Sequence, residues 1–276
     1  MDEITFKLAM GASGSGSPTG QAAFLSYSDN TFTVPPNVFF IHAVVIDPGE
    51  DGADGRGAPS GGGSTGRGGR GGNLRWKNNI PVVPGEVLRV MVGLNYRNGQ
   101  GYNDGYAAFI ERNGVKLLSG TTALGGDVGG GNGGAGGRVT ANNPEQGAGG
   151  GAGGYAGNGG DGEQPADSTV TGSVRVPPGD GSGGAGAGGL FLQSPSTGLG
   201  PGGSVGVHGQ GVDGIAPAKS GSPSPAGTYH SNTPRGPGHG GRGGNYNDFG
   251  GAGGQGAVRI IWGDNRAFPS LRTHDL

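Results

Sequence analysis

The chain has 276 residues, of which 72 are glycine and none is cysteine; 31% are apolar with tyrosine included, and the formal net charge is −2. That length fits one or two domains. The composition excludes disulfides and thiolate metal sites, and the slightly acidic balance argues against general binding to nucleic acid or anionic membranes.

Residues 1–19 read as an N-terminal arm. Met1-Asp2-Glu3-Ile4-Thr5-Phe6 has neither a basic n-region nor an apolar h-region, so no secretory signal is expected. Residues 31–46 are rich in β-branched and aromatic types and predict a strand, a proline turn and a second strand, stopped by Asp47-Pro48-Gly49. Asn73 to Lys77 alternates apolar and polar, and Ile80 to Val83, Pro84-Gly85 and Glu86 to Val92 give another strand, turn and strand. Tyr106 to Glu111 and Val115 to Leu118 flank Asn113-Gly114, a strong hairpin signal. An antiparallel β-sandwich of roughly six strands over residues 20–120 follows, with a glycine-rich insertion at 52–72.

Beyond residue 120 the composition changes. A glycine-rich region over 121–263 alternates glycine runs with short segments such as Leu190-Phe191-Leu192, Val205-Gly206-Val207 and Tyr229-His230. It closes on Val258-Arg259-Ile260-Ile261-Trp262, which is apolar enough to require a pairing partner. Residues 264–276 read as an exposed C-terminal arm. No segment carries a convincing amphipathic helix, and none approaches the roughly eighteen apolar residues of a membrane span.

In the glycine runs, the other residues recur every third position. Ser64-Thr65-Gly66-Arg67-Gly68-Gly69-Arg70-Gly71-Gly72-Asn73 sets the frame, and it returns at Asn132 to Arg138, Ala152 to Asp161, His239 to Asn245 and Ala252 to Val258. A period of three belongs to the extended left-handed helix, which makes no internal hydrogen bonds and rises about 3.1 Å per residue. With two bare edges per turn, such helices can approach until main-chain N–H and C=O groups pair between them, leaving the third edge to point outward. The predicted architecture is therefore all-β and irregular: an N-terminal sandwich followed by a polyglycine-II lattice, with antiparallel packing expected. Flexible linkers are the alternative for such composition, but a linker has no use for a phase. Collagen needs long strict Gly-X-Y with abundant proline, which is missing.

Signatures of chemistry are weak. Lys219-Ser220 follows Ala218, so the phosphate-loop pattern fails. His42, His208, His230, His239 and His274 stand far apart without metal-ligand spacing. Asp47, Glu50, Asp51 and Asp54 read as a solvated turn, with calcium as the other option, although the calcium-loop pattern is incomplete. Three arginines in Arg-Gly-Gly context, Arg67, Arg70 and Arg242, are too few to read as an RNA-binding box. No enzyme and no cofactor is expected. Tyr155, Leu190, Phe191, Leu192, Tyr229, His230, Tyr246 and Phe249 fall where the chain would turn between glycine helices. They are candidate receptor-contact residues, with burial at the lattice ends as the alternative.

Thr31-Phe32-Thr33-Val34-Pro35-Pro36-Asn37-Val38, then Val83-Pro84-Gly85-Glu86-Val87-Leu88-Arg89-Val90 and Val92-Gly93, resemble the glycine-rich domain of tail proteins of tailed bacteriophages. Gly256 to Trp262 followed by Arg266-Ala267-Phe268-Pro269-Ser270 is similar to the closing motif of glycine-rich phage virion proteins. The Gly-Gly-X runs resemble the distal adhesins of some tail fibres, whose polyglycine-II lattice carries receptor-binding loops. The resemblance implies a virion tail location, at a fibre tip or baseplate, and attachment to a bacterial surface receptor such as a glycan or an outer-membrane protein. It implies other virion proteins as partners; a trimer and a monomer docked on a trimer are both open, and the charge balance and lack of an apolar span argue against nucleic-acid binding and membrane insertion. A structural head or tail decoration protein is the runner-up, and an ice-binding or matrix protein comes third.

Overall fold

The computed structural model describes residues 18–54, 66–94, 107–138, 147–164, 176–189, 202–210, 212–215, 237–241 and 250–269. No helix occurs among them, and nine strands form two antiparallel sheets. The strands are β1 (Gly20–Phe24), β2 (Ser28–Thr33), β3 (Phe40–Ile46), β4 (Leu74–Pro81), β5 (Val87–Val92), β6 (Phe109–Arg112), β7 (Val115–Ser119), β8 (Val128–Gly131) and β9 (Ala257–Trp262). One sheet runs β1-β9-β3-β4-β8, the other β2-β5-β6-β7.

Local chemistry accounts for the tight connections. Asn113 and Gly114 both adopt positive φ, 48° and 81°, as a two-residue hairpin turn with the strands' own twist requires. Pro84 pre-sets the first corner of the Val83–Glu86 turn, and Gly85, at φ 80°, supplies the left-handed second corner. The Glu86 amide closes that turn on the Val83 carbonyl at 2.9 Å.

Between the sheets lies a core that includes Phe32, Ile41, Val45, Leu88, Val90, Ile110, Leu118, Val258, Ile260 and Trp262. The Phe32 and Trp262 rings meet at 5.5 Å. A second apolar cluster covers the opposite face of the five-stranded sheet. There Val44, Ile46, Leu74, Ala257 and Ile261 meet Ala152, Tyr155, Val205, Val207 and Phe268. Burial on both faces explains why β3 and β9 read as continuous apolar runs rather than alternating ones.

The sandwich is not confined to residues 20–120. β9, from the far end of the sequence, sits between β1 and β3, pairing Val258 with Val45 and Ile261 with Gln21. β8 adds an edge beside β4. The partner that the apolar C-terminal segment needed is thus the centre of the first sheet.

Ile260 faces the inter-sheet core with no exposure. Ile260→Ala is expected to lower unfolding free energy by about 2–5 kcal/mol. The solvent-facing Thr31→Ala should stay within about 0.5 kcal/mol; both are read from urea denaturation midpoints.

Candidate functional site

Beyond the strands, the glycine runs hydrogen-bond to one another with a strict period of three. Asp47, Glu50 and Ala53 donate their main-chain N–H groups to the carbonyls of Asn73, Arg70 and Arg67. On another edge of the same run, Gly49 and Gly52 donate to Gly254 and Gly251. Gly68 and Gly71 donate to Gly137 and Gly134, while Gly69 and Gly72 donate to Gly241 and Gly238.

This first layer continues the sheet. β9, β3, β4 and β8 are neighbours in that order, and the runs joined to them, 250–256, 47–54, 66–73 and 131–138, pair in the same order. Antiparallel direction is inherited from the strands. It does not hold throughout: Gly147, Gly150 and Gly153 donate to Gly66, Gly69 and Gly72, so run 147–154 lies parallel to run 66–72. The expectation of antiparallel packing is corrected to a mixed arrangement, because runs stacked on the first layer are not bound by strand polarity.

Run 147–154 is the centre. It bonds to runs 66–72, 131–138, 157–163 and 186–189 and to Gly203 and Gly240, six neighbours in all. Contact is close enough that side chains have no room on these edges. A Cβ at Gly68 or Gly71 would overlap the carbonyl of Ala148 or Gly151, and one at Gly151 would overlap that of Gly186.

Third positions point outward at the rim. Arg67, Arg70, Asn132, Ala135, Arg138, Asn158, Asp161, Ala252 and Gln255 are exposed. Several of them also cap amides of the adjacent run: Asn158 Oδ1 accepts from Asn132 N at 2.8 Å and Asp161 Oδ1 from Ala135 N at 2.7 Å. Asp51 and Asp54 do the same for Gly253 and Gly250. The acidic group at 47–54 is therefore no solvated turn. Asp47 and Glu50 are buried, and Glu50 accepts from the Arg70 amide at 3.0 Å.

Tyr155 is corrected as a contact residue. At 1% exposure it ends the central run and lies against the sheet, with its ring stacked 6.0 Å from Phe268. Its hydroxyl donates to the Gly206 carbonyl and accepts from the Gly209 amide, while Trp76 Nε1 donates to its carbonyl. Burial drives its hydroxyl pKa well above the ordinary tyrosine value. The third position of a run surrounded on all sides has only the interior to point into.

Leu190, Phe191, Leu192, Tyr229, His230, Tyr246 and Phe249 lie outside the described residues. The residues that anchor their segments are described, and most of these lie together. Asp54 and Gly66, Arg138 and Gly147, Gln164 and Val176, Gly189 and Gly202, and Gly241 and Gly250 flank five segments. The first-layer runs reach Asp54, Gly66, Arg138 and Gly250 at their ends away from the strands. Gly147 pairs with Gly66 and Glu163 with Ala148, while Gly189 pairs with Gly149 and Gly202 with Gly240. Three segments thus start and finish on the side of the network remote from the sandwich, and 242–249 finishes there at Gly250, whereas Gly189, Gly202 and Gly241 pair midway along the runs. The segment holding Tyr229 and His230 differs, since its anchor Gly238 bonds to Gly72 and Gln255 beside the strands.

His42 is buried and His208 half-buried, and desolvation holds both below the ordinary histidine range. Among the described residues, no cluster of three or more histidine or carboxylate side chains could hold a metal ion. No protein-family model matches the chain, and no curated protein matches it.

Gly151→Ala places a methyl group against the Gly186 carbonyl in the middle of the network and is expected to cost at least about 2 kcal/mol. Ala252→Gln, at an exposed third position, should change stability by less than about 0.5 kcal/mol. Urea denaturation with amide exchange of the glycine region distinguishes the two.

Proposed function

We propose that this chain is a tail component of a bacteriophage virion, a fibre-tip or baseplate-associated adhesin. Its sandwich docks on another virion protein, and its glycine network, read as a polyglycine-II lattice, holds recognition segments toward the bacterial surface. The observation that carries the reading is the gathering of three anchor pairs, together with Gly250, at one end of a main-chain-bonded block. A scaffold that fixes its own geometry through backbone leaves the connecting segments free to vary in sequence, the division of labour that binding loops require. Tyr246 and Phe249 belong to a segment that ends there at Gly250, and Leu190, Phe191 and Leu192 to one anchored midway along the block.

The opposite end supports docking. Phe39, Phe40, Val83, Val87 and Val115 are 55–66% exposed. They are joined by local pairing: Phe40 opposes Pro81, the Val82 amide bonds the Phe39 carbonyl, Val87 opposes Thr33, and Glu86 binds Arg112, the strand partner of Val115. Several exposed apolar side chains gathered at one end of the sandwich favour a protein interaction surface. Many copies per particle would multiply weak single contacts with the host.

Purified protein is expected to bind host cells and to block adsorption of the phage that carries it. Replacing Leu190, Phe191 and Leu192 together by serine should weaken cell binding about tenfold or more, with amide protection of run 147–154 unchanged. A protein that co-purifies with virions yet neither binds cells nor competes is a decoration protein instead.

A further inference from the structure

The joint between sandwich and glycine network contains a carboxyl group with no solvent exposure. Asp47 follows β3 and opens the first glycine run, and its amide bonds the Asn73 carbonyl at 2.8 Å where that run meets β4. Its Oδ1 accepts from the Ala108 amide of the four-stranded sheet's side at 2.9 Å. Its Oδ2 is buried without a hydrogen-bond partner. The Ala108 carbonyl accepts from the Gly120 amide at 3.1 Å, and a Cβ at Gly120 would coincide with the Asp47 carboxyl group, so the two positions are fitted to each other. Asn73 completes the joint: its Nδ2 donates to the Gly120 carbonyl, and its Oδ1 accepts from the Gly133 amide of the next run. One side chain thus touches both sheets' ends and the start of the network.

We propose that Asp47 is a proton-controlled clasp. As a neutral acid it fills the dry joint between Ala108, Gly120 and the root of the glycine network; loss of its proton leaves a buried anion there whose hydrogen bond from Ala108 does not offset the lost hydration, and the joint loosens. The physical reason is that an anion in a dry site, with the Ala108 amide and the Asn73 side-chain amide as its only neutral donors, is poorly solvated. The charged groups facing it are Arg75 from β4 and Lys116 from β7; their attraction opposes the effect of burial without cancelling it. Arg75 is already engaged by the Leu74, Gly131 and Thr122 carbonyls and by Asn132.

Burial raises the Asp47 pKa from 3.8 to about 7. Between those values the folded chain keeps a proton that the unfolded chain has released, so stability falls as pH rises through the interval and the loss is complete above about 7. The inference is independent of what the protein attaches to.

The test is a carbon NMR titration of the Asp47 carboxyl carbon in the full chain, with amide exchange measured across pH 5–9. The expected result is a midpoint near neutrality. Exchange at Ala108 and Gly120 should accelerate about tenfold beyond the intrinsic pH dependence through that midpoint, while amides of β3 and β9 do not. In Asp47→Asn the extra acceleration should vanish. A midpoint in the ordinary carboxylate range overturns the proposal, as does the same junction acceleration in Asp47→Asn. Should that variant fail to fold, the wild-type midpoint and the contrast between junction and strand amides decide alone.

Discussion

Close approach of bare main chain is the constraint on which the glycine region depends. Ordering glycine costs more conformational entropy than ordering any other residue, and glycine brings almost no apolar area in return. Each inter-run hydrogen bond contributes only about 1 kcal/mol net. Such bonds hold a block together only if nearly every N–H and C=O finds a partner, which requires several neighbours per run. The six neighbours of run 147–154 meet that requirement. The same density is what forbids a Cβ on the contacting edges, so the composition and the architecture are one fact seen twice.

The block does not need to nucleate by itself. β9, β3, β4 and β8 deliver four chains already side by side, at hydrogen-bonding distance and in alternating direction. Where side chains give way to glycine, the chains go on pairing in the same order with a new period, three in place of two. The sheet therefore sets register for the first layer, and that layer templates the next. The second apolar cluster works in the same direction, since Ala152, Tyr155, Val205 and Val207 tie the upper layer onto the sheet's outer face.

How much of this was legible in the sequence depended on whether the signal was local. The Asn113-Gly114 hairpin, the Pro84-Gly85 turn and the three-residue phase were readable because each is fixed by backbone preferences of the residues themselves. β8 was not: Val128-Gly129-Gly130-Gly131 has almost no strand propensity and is a strand only because β4 offers an edge. The burial of Asp47 was equally invisible, and that of Tyr155 could not be told from exposure. A third-position tyrosine looks the same on a rim run as on a central one, and an acidic residue next to proline and glycine looks like a surface turn. What distinguishes them is the number of neighbouring runs, a property of the stacking and not of the segment. A weak signal for Tyr155 was its place in the run with the most alanine and glycine, Gly147 to Gly154, where nothing polar occupies a third position.

A block held by backbone places few demands on side chains at its rim, and the demands it does place are specific. Asn158, Asp161, Asp51 and Asp54 supply acceptors where an outer amide has no further run to bond. These short polar residues do at the surface what a carbonyl does inside. An exposed third position without such a duty, such as Ala252, can vary without touching the scaffold. The same holds more strongly for the segments between remote anchors, because both of their ends are fixed by main-chain bonds that no side-chain change removes. Variation confined to those segments would leave the sandwich, the joint at Asp47 and the block intact. That separation of a backbone-held frame from its connecting segments follows from glycine edges rather than from any recognition residue.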